Sequence, residues 1–229
     1  FASTSQNPTI TTVTTAASGT YSVTATVSGC TGPAGTTAVT INQTPSAPTA
    51  GSNTPVCSGN TLLLTASTIT GATYSWTGPN SFASTSQNPT ITTVTTAASG
   101  TYSVTATVSG CTGPAGTTAV TINPLPDVNI TGNTVLCLGQ TTTLTAAGGV
   151  TYVWASGGQT TTDITVSPTT NTTYTVTGTD ANGCTNTDDI TINVNPLPDV
   201  SITGSTVLCL GQTTTLTAAG GVTYVWASG

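Results

Sequence analysis

The sequence predicts an all-β protein: a tandem array of small antiparallel β-sandwich modules, roughly seven strands each. Three observations carry this. Apolar and hydroxyl residues alternate in short runs, Gly, Asn, Pro and Ser cluster between the runs, and the pattern returns at a period that suits a small autonomous domain.

The period is read by aligning the chain with itself. Phe1–Asn42 recurs without a difference at Phe82–Asn123, an offset of 81 residues. Pro124–Gly157 recurs at Pro196–Gly229, an offset of 72, changed only where Asn129 and Asn133 become Ser201 and Ser205. Such periods far exceed one coil of a solenoid. They divide the chain into the C-terminal part of a module at 1–42, complete modules at 43–123 and 124–195, and the N-terminal part of a module at 196–229. The sequence thus reads as a window on a longer array, silent about leaders and anchors.

Within a module each strand has its own signature. Tyr102–Val108 alternates strictly between apolar and hydroxyl residues, as a strand with one buried and one wet face must. Tyr174–Thr177 repeats it. Ile190–Val194 and Thr118–Ile122 close the two modules in the same way. Upstream, strands are expected at Thr61–Ala66 with Leu62 and Leu64 inward, at Ala72–Gly78, and around Ile91; their counterparts are Thr141–Ala147, Thr151–Gly157 and Thr160–Val166. Asp180–Gly183, "DANG", reads as the tight connection between the last two strands. No stretch shows helical periodicity.

Composition removes whole classes of function. The chain has no Lys, Arg or His, and six acidic residues set a net charge of −6. Nucleic acids and anionic headgroups are held mainly through Lys and Arg, so neither is an expected partner, and no membrane insertion is expected in this segment. Asp, Cys and Tyr are the only titratable side chains, which leaves the usual catalytic bases out and predicts that the segment is not an enzyme. Solubility rests on hydroxyls and amides, and the alternating β-branched runs argue against disorder. A chain without Lys or Arg offers trypsin-like proteases no cleavage site, which suits an exposed surface molecule; drift in a recently duplicated gene gives the same composition.

Six cysteines point to an oxidising, extracellular location. Each module has one early Cys (Cys57, Cys137, Cys209) and one late Cys (Cys30, Cys111, Cys184), the count for one structural bridge per module. No two lie close in sequence and there is no His, so a tetrahedral metal set is a poor competitor.

The order Cys57, Trp76, Cys111, repeated as Cys137, Trp154, Cys184, together with "GTYSVTATVSGCT" and "TYTVTGTDANGCT", resembles the immunoglobulin-like and PKD-like repeats of large Bacteroidota surface proteins, in particular adhesins of the gliding-motility type exported by type IX secretion. The resemblance covers every module and implies a cell-surface, adhesive role. One departure matters: Cys111 follows Tyr102 by nine residues and Cys184 follows Tyr174 by ten, past the strand that holds the second Cys of antibody-type domains. In a plain sandwich order the early and late Cys then fall near opposite poles. Either the segment before the Leu-rich strand folds back beside the last strand, giving Cys57 with Cys111 and Cys137 with Cys184, or the bridge joins neighbouring modules, for example Cys57 with Cys184. The first is preferred, because each module then completes itself; closing loops of about 50 residues contributes about 3 to 4 kcal/mol each in the chain-entropy model.

The remaining motifs have structural readings. Trp76 and Trp154, between the two Cys, are assigned to the cores rather than to sugar stacking. Tyr102 and Tyr174, heading the alternating strands, join them. No resident cofactor is expected. Ca²⁺ is the one metal the composition admits, through Asp127 and Asp199 after "PLP", the adjacent Asp188 and Asp189, and Asp180 with Asn182; but module 43–123 has no Asp, so these residues are read as turn caps and guards of strand edges. The Thr faces follow from β propensity on short twisted strands, not from an ice-binding array. Lys-to-Asn crosslinks are excluded for want of Lys. Asn42, Asn129 and Asn171 head glycosylation sequons that so Thr-rich a chain contains by chance.

These readings converge on a structural and adhesive role: an extracellular filament or stalk whose modules contact their neighbours in the chain and an external surface. The "NPLPD" linkers at Asn123 and Asn195 are expected to be stiff and "NQTPSAPTAGS" from Asn42 to bend more easily. The rival readings are a polysaccharide-binding array using pole loops such as Thr77–Asn88, and a fibre subunit self-associating into filaments through strand edges.

Overall fold

The structure, a computed structural model, describes residues 1–227; Ser228 and Gly229 of the last part-module lie outside the described residues. Helix is confined to two single 3-10 turns, Thr15–Ala17 and Thr96–Ala98, among those residues. The chain forms two compact units, Phe1–Pro124 and Leu125–Gly229.

The first unit opens with β1 (Gly19–Val23), β2 (Thr26–Val27), β3 (Cys30–Thr31) and β4 (Gly35–Val39). β1 pairs antiparallel with β4, and β2 with β3. There follow β5 (Ala50–Ser52), β6 (Val56–Cys57), β7 (Leu62–Ala66), β8 (Thr73–Gly78), β9 (Phe82–Ser84), β10 (Thr90–Ile91), β11 (Gly100–Val108), β12 (Cys111–Thr112), β13 (Gly116–Val120) and β14 (Ile122–Asn123). One sheet has the order β10-β7-β5; the other runs β9, β8, β11, with β12 and β13 both on the far side of β11. Between β5 and β6 the chain leaves the first sheet, and β6 lies parallel to β14, Val56 opposite Ile122 and Cys57 opposite Asn123.

The burial of β7 shows why this sequence folds so. Leu62, Leu64 and Ala66 are buried while Leu63 and Thr65 are exposed, the two-residue alternation of a half-buried strand. They meet Trp76, Tyr102, Val104 and Ala106 from the opposite sheet in one apolar core. Each such large side chain contributes about 1.5 to 3 kcal/mol by leaving water.

The second unit repeats the plan with β15 (Asn129–Thr131), β16 (Val135–Cys137), β17 (Thr142–Ala147), β18 (Thr151–Trp154), β19 (Asp163–Val166), β20 (Thr172–Thr179) and β21 (Thr185–Asn195), then β22 (Ser201–Thr203) and β23 (Thr217–Ala219). Its sheets are β15-β17-β19 and β16-β21-β20-β18, and β16 is again parallel to the end of the last strand. Leu144, Trp154, Val176 and Ile192 are fully buried in its own core, which shares no residue with that of the first unit. Two antiparallel sheets over one core, with the first strand split between them, make each complete repeat an immunoglobulin-like sandwich.

The long strands lie within two or three residues of their expected limits, apart from β21, which begins five residues earlier. β5, β6 and β9 are additions: "AGS", "VC" and "FAS" are too short to display an alternation.

Candidate functional site

The aromatic residues build outward from Trp76 and Trp154, both wholly buried. Each indole finds a backbone acceptor: Trp76 Nε1 donates to Gln87 O at 3.2 Å and Trp154 Nε1 to Thr161 O at 3.0 Å. Tyr102 donates through its hydroxyl to Ala98 O at 3.0 Å, so the 3-10 turn before β11 is held by the strand it introduces. Burial raises the Tyr102 pKa above the ordinary 10.0. Tyr174 is buried at the matching place in the second core.

Sequence reasoning missed a further pair of tyrosines. Tyr74 accepts from Ile69 N at 2.8 Å and donates to Ser67 O at 3.0 Å. Tyr152 likewise clasps both backbone groups of Gly149 at 2.9 Å. The signal was available: Tyr-x-Trp occurs at Tyr74, Tyr152 and Tyr224. Asn53 also went unread; it accepts from Leu63 N at 2.8 Å and donates to Thr61 O at 3.1 Å, standing in for a strand partner beside β7.

The cysteines require a correction. Cys57 and Cys184 are disulfide-bonded, whereas Cys111 and Cys137, with Cys30 and Cys209, are free thiols, so neither expected bridge within a module forms. The segment before the Leu-rich strand does lie beside the last strand, but parallel to it and at its far end. Cys57 sits opposite Asn123, while Cys111 pairs with Val108 at the other end of β11. From Gly116 to Asn123 alone an extended chain covers about 23 Å at 3.3 Å per residue, against the roughly 4 to 7 Å that a disulfide tolerates between Cα atoms. The second module repeats the obstacle: Cys137 is opposite Asn195, and Cys184 precedes Thr185 at the start of the same strand.

Two of the aspartates, Asp180 and Asp188, act on backbone through their side chains. Asp180 Oδ1 accepts from the N–H groups of Asn182 and Cys184, both at 2.8 Å, which closes the "DANG" turn. Asp188 Oδ2 accepts from Ile130 N at 2.8 Å, beside the crossing first strand. Among the described residues, no three His, Cys, Asp or Glu side chains come together as a metal-binding group.

The pole loop Thr77–Asn88 is largely a hairpin. Asn80 and Ser81 both take positive φ, 54° and 57°, the requirement of a tight turn whose twist matches its strands. Phe82 lies edge-on to Tyr102 with ring centres 5.5 Å apart. Gln87 and Asn88 close on Ala66 through hydrogen bonds of 2.9 and 3.0 Å. The loop is thereby folded onto its own sandwich.

Exposed apolar surface concentrates in the two part-modules. The face of β1 and β4 opens a cleft lined by Phe1, Ile10, Tyr21 and Val23. At the other end Leu216 and Trp226 are exposed.

No protein-family model and no curated protein matches the sequence. Solved structures that resemble it include murine CEACAM1b, at 14% identity and a TM-score of 0.32 over 65% of this chain and 100% of that one. The three N-terminal domains of the highly immunogenic outer capsid protein of bacteriophage RB49 are similar at 18% identity and a TM-score of 0.33, over 76% and 70% of the two chains. The N-terminal eight immunoglobulin domains of Down syndrome cell adhesion molecule are similar at 14% identity and a TM-score of 0.40, over 83% and 28%. These likenesses concern the fold alone. No helix among the described residues is long and apolar enough to cross a membrane.

Proposed function

We propose that this chain is the structural repeat region of a large extracellular filamentous adhesin or stalk, whose modules, 43–123 and 124–195, hold an adhesive end away from a cell or present a repetitive adhesive surface. The observation that carries this reading is that the two complete modules each close a core of their own, with every tryptophan and tyrosine in them turned inward, beside stretches that repeat them almost without change. Bonded Cys57 and Cys184 favour an oxidising, extracellular setting. The "GTYSVTATVSGCT" resemblance adds the finer suggestion of a gliding-type adhesin exported by type IX secretion. The modules work without a resident metal in this reading, so melting curves in calcium and in chelator should coincide.

Polysaccharide binding is the weaker reading, because Trp76 and Trp154 have no surface to stack on a sugar and the Thr77–Asn88 hairpin is closed. Small-angle scattering and a glycan array together decide. An elongated particle with no glycan bound supports the stalk; selective binding of one glycan class by an isolated complete module overturns it.

A further inference from the structure

The turn that joins β20 to β21 contains a reactive pair. Asn182 is followed by Gly183, and it is the one asparagine of the chain with a glycine after it. Glycine has no Cβ to shield its backbone nitrogen and moves freely between backbone conformations, so that nitrogen reaches the preceding side-chain amide more readily than a bulkier residue's would. Ala181, Asn182 and Gly183 are all exposed, whereas Cys184, the disulfide-bonded residue that follows, is fully buried.

Asp180 grips this turn at several points. Its Oδ1 accepts from Asn182 N and Cys184 N at 2.8 Å each, its backbone O accepts from Gly183 N at 3.2 Å, and its N donates to Cys184 O at 2.9 Å. Its Oδ2 lies 3.5 Å from Asn182 Nδ2. Gly183 N, the atom that would attack, is thus itself tied to Asp180, and ring closure requires the turn to open first. The first module has the same connection without the amide: Ser109 precedes Gly110, and Gly110 and Gly183 share a φ of 79°.

We propose that Asn182 is a self-modification site and that Asp180 is the latch that sets its pace. Gly183 N attacks Asn182 Cγ, and the side-chain nitrogen leaves as ammonia, carrying the proton from Gly183 N. Water then opens the cyclic imide at either carbonyl, which gives aspartate or isoaspartate; no oxidant, reductant or metal takes part. Each product adds a carboxylate to the turn beside that of Asp180, a like charge that disfavours the closed arrangement. Isoaspartate also inserts a methylene into the backbone before Gly183, so that Gly183 and Cys184 no longer meet Asp180 in register. The change is one-way, and it loosens the end of the hairpin where Thr179 faces Thr185.

The test follows the full chain at mildly alkaline pH by intact mass, ion-exchange chromatography and chymotryptic mapping after reduction. Asn182 should convert before every other amide, including Asn80 in its exposed turn, and Asn182→Ser, the residue that the first module has there, should remove the early product. Asp180→Ala should speed the native reaction about tenfold and leave the rate in denaturant unchanged, since a hydrogen bond to a carboxylate is worth roughly that factor. Asp180→Asn, which keeps the acceptor, should stay near the parent rate. Earlier conversion of Asn80 or any other amide overturns the site. Equal native rates for Asp180→Ala and the parent overturn the latch. So does a slower Asp180→Ala, which would make the carboxylate a participating base, or an Asp180→Asn chain that reacts as fast folded as in denaturant.

Discussion

Strand β1 and the opening of β11 are the same five residues, Gly-Thr-Tyr-Ser-Val, pair in the same register, and end in opposite environments. Val23 is 70% exposed and Val104 is fully buried. Local features survive the change of setting: Tyr21 donates to Ala17 O at 2.7 Å as Tyr102 does to Ala98 O at 3.0 Å, and Thr26 bonds Thr31 at the same 2.8 Å as Thr107 bonds Thr112. The other duplicated stretch repeats the contrast, with Trp154 at 0% and Trp226 at 51%. Turns, hairpins and register belong to the short stretch; burial, the larger share of the stabilising free energy, belongs to its partner sheet.

The strongest way to break this comparison is to truncate the same tryptophan in both settings. Trp154→Ala should cost about 3 to 5 kcal/mol, read by denaturant unfolding, whereas Trp226→Ala should leave the complete modules unchanged under dilute, monomeric conditions. Equal losses would mean that residues 196–227 possess a core that the structure does not give them. Next in size, Gly178→Ala should cost about 1 to 3 kcal/mol through contact with Val128, and Val128→Ala should restore part of it.

Tyr102→Phe should cost about 1 kcal/mol by leaving Ala98 O without its donor, while Tyr21→Phe should cost far less at its partly exposed site. The first substitution also has a pH signature. With its pKa raised in the fold, Tyr102 loses its proton first in the unfolded chain, so its contribution is complete below the ordinary 10.0 and is lost as pH climbs through the folded value. The phenylalanine variant should show a shallower alkaline decline in unfolding free energy. Smallest of all, Thr107→Val and Thr26→Val should each change stability by less than about 1 kcal/mol and by similar amounts, because that cross-strand pair is local in both copies.

Much of the fold was legible because its strands alternate: Trp76, Tyr102 and Val104 sit between Thr or Ser neighbours, Leu62 and Leu64 flank the exposed Leu63, and the sheets follow from facing those positions together. The "DANG" turn was legible because Asp, Asn and Gly each do something local there. That the segment before the Leu-rich strand lies beside the last strand was expected, but the parallel direction and register of β6 on β14 were not legible, since two residues carry no period and their partners lie more than sixty positions away. The preferred pairing of the cysteines within each module failed for the same reason. A count of two per module says nothing about which pole each occupies, and that is set by the crossing between β5 and β6. The hydroxyls of Tyr74 and Tyr152 escaped notice because an aromatic ring in a core pattern conceals the polar atom at its tip.

The parallel pairing of β6 with β14 has a mechanical meaning. Val56 N donates to Thr121 O, Ser58 N to Asn123 O, and Thr54 Oγ1 both receives from Thr121 N and gives to its oxygen. A pull on the two ends of the module drags these strands lengthwise past each other. The bonds are therefore loaded together in shear instead of being opened one after another like a zip, and the second module carries the same arrangement between Val135–Cys137 and Asn193–Asn195.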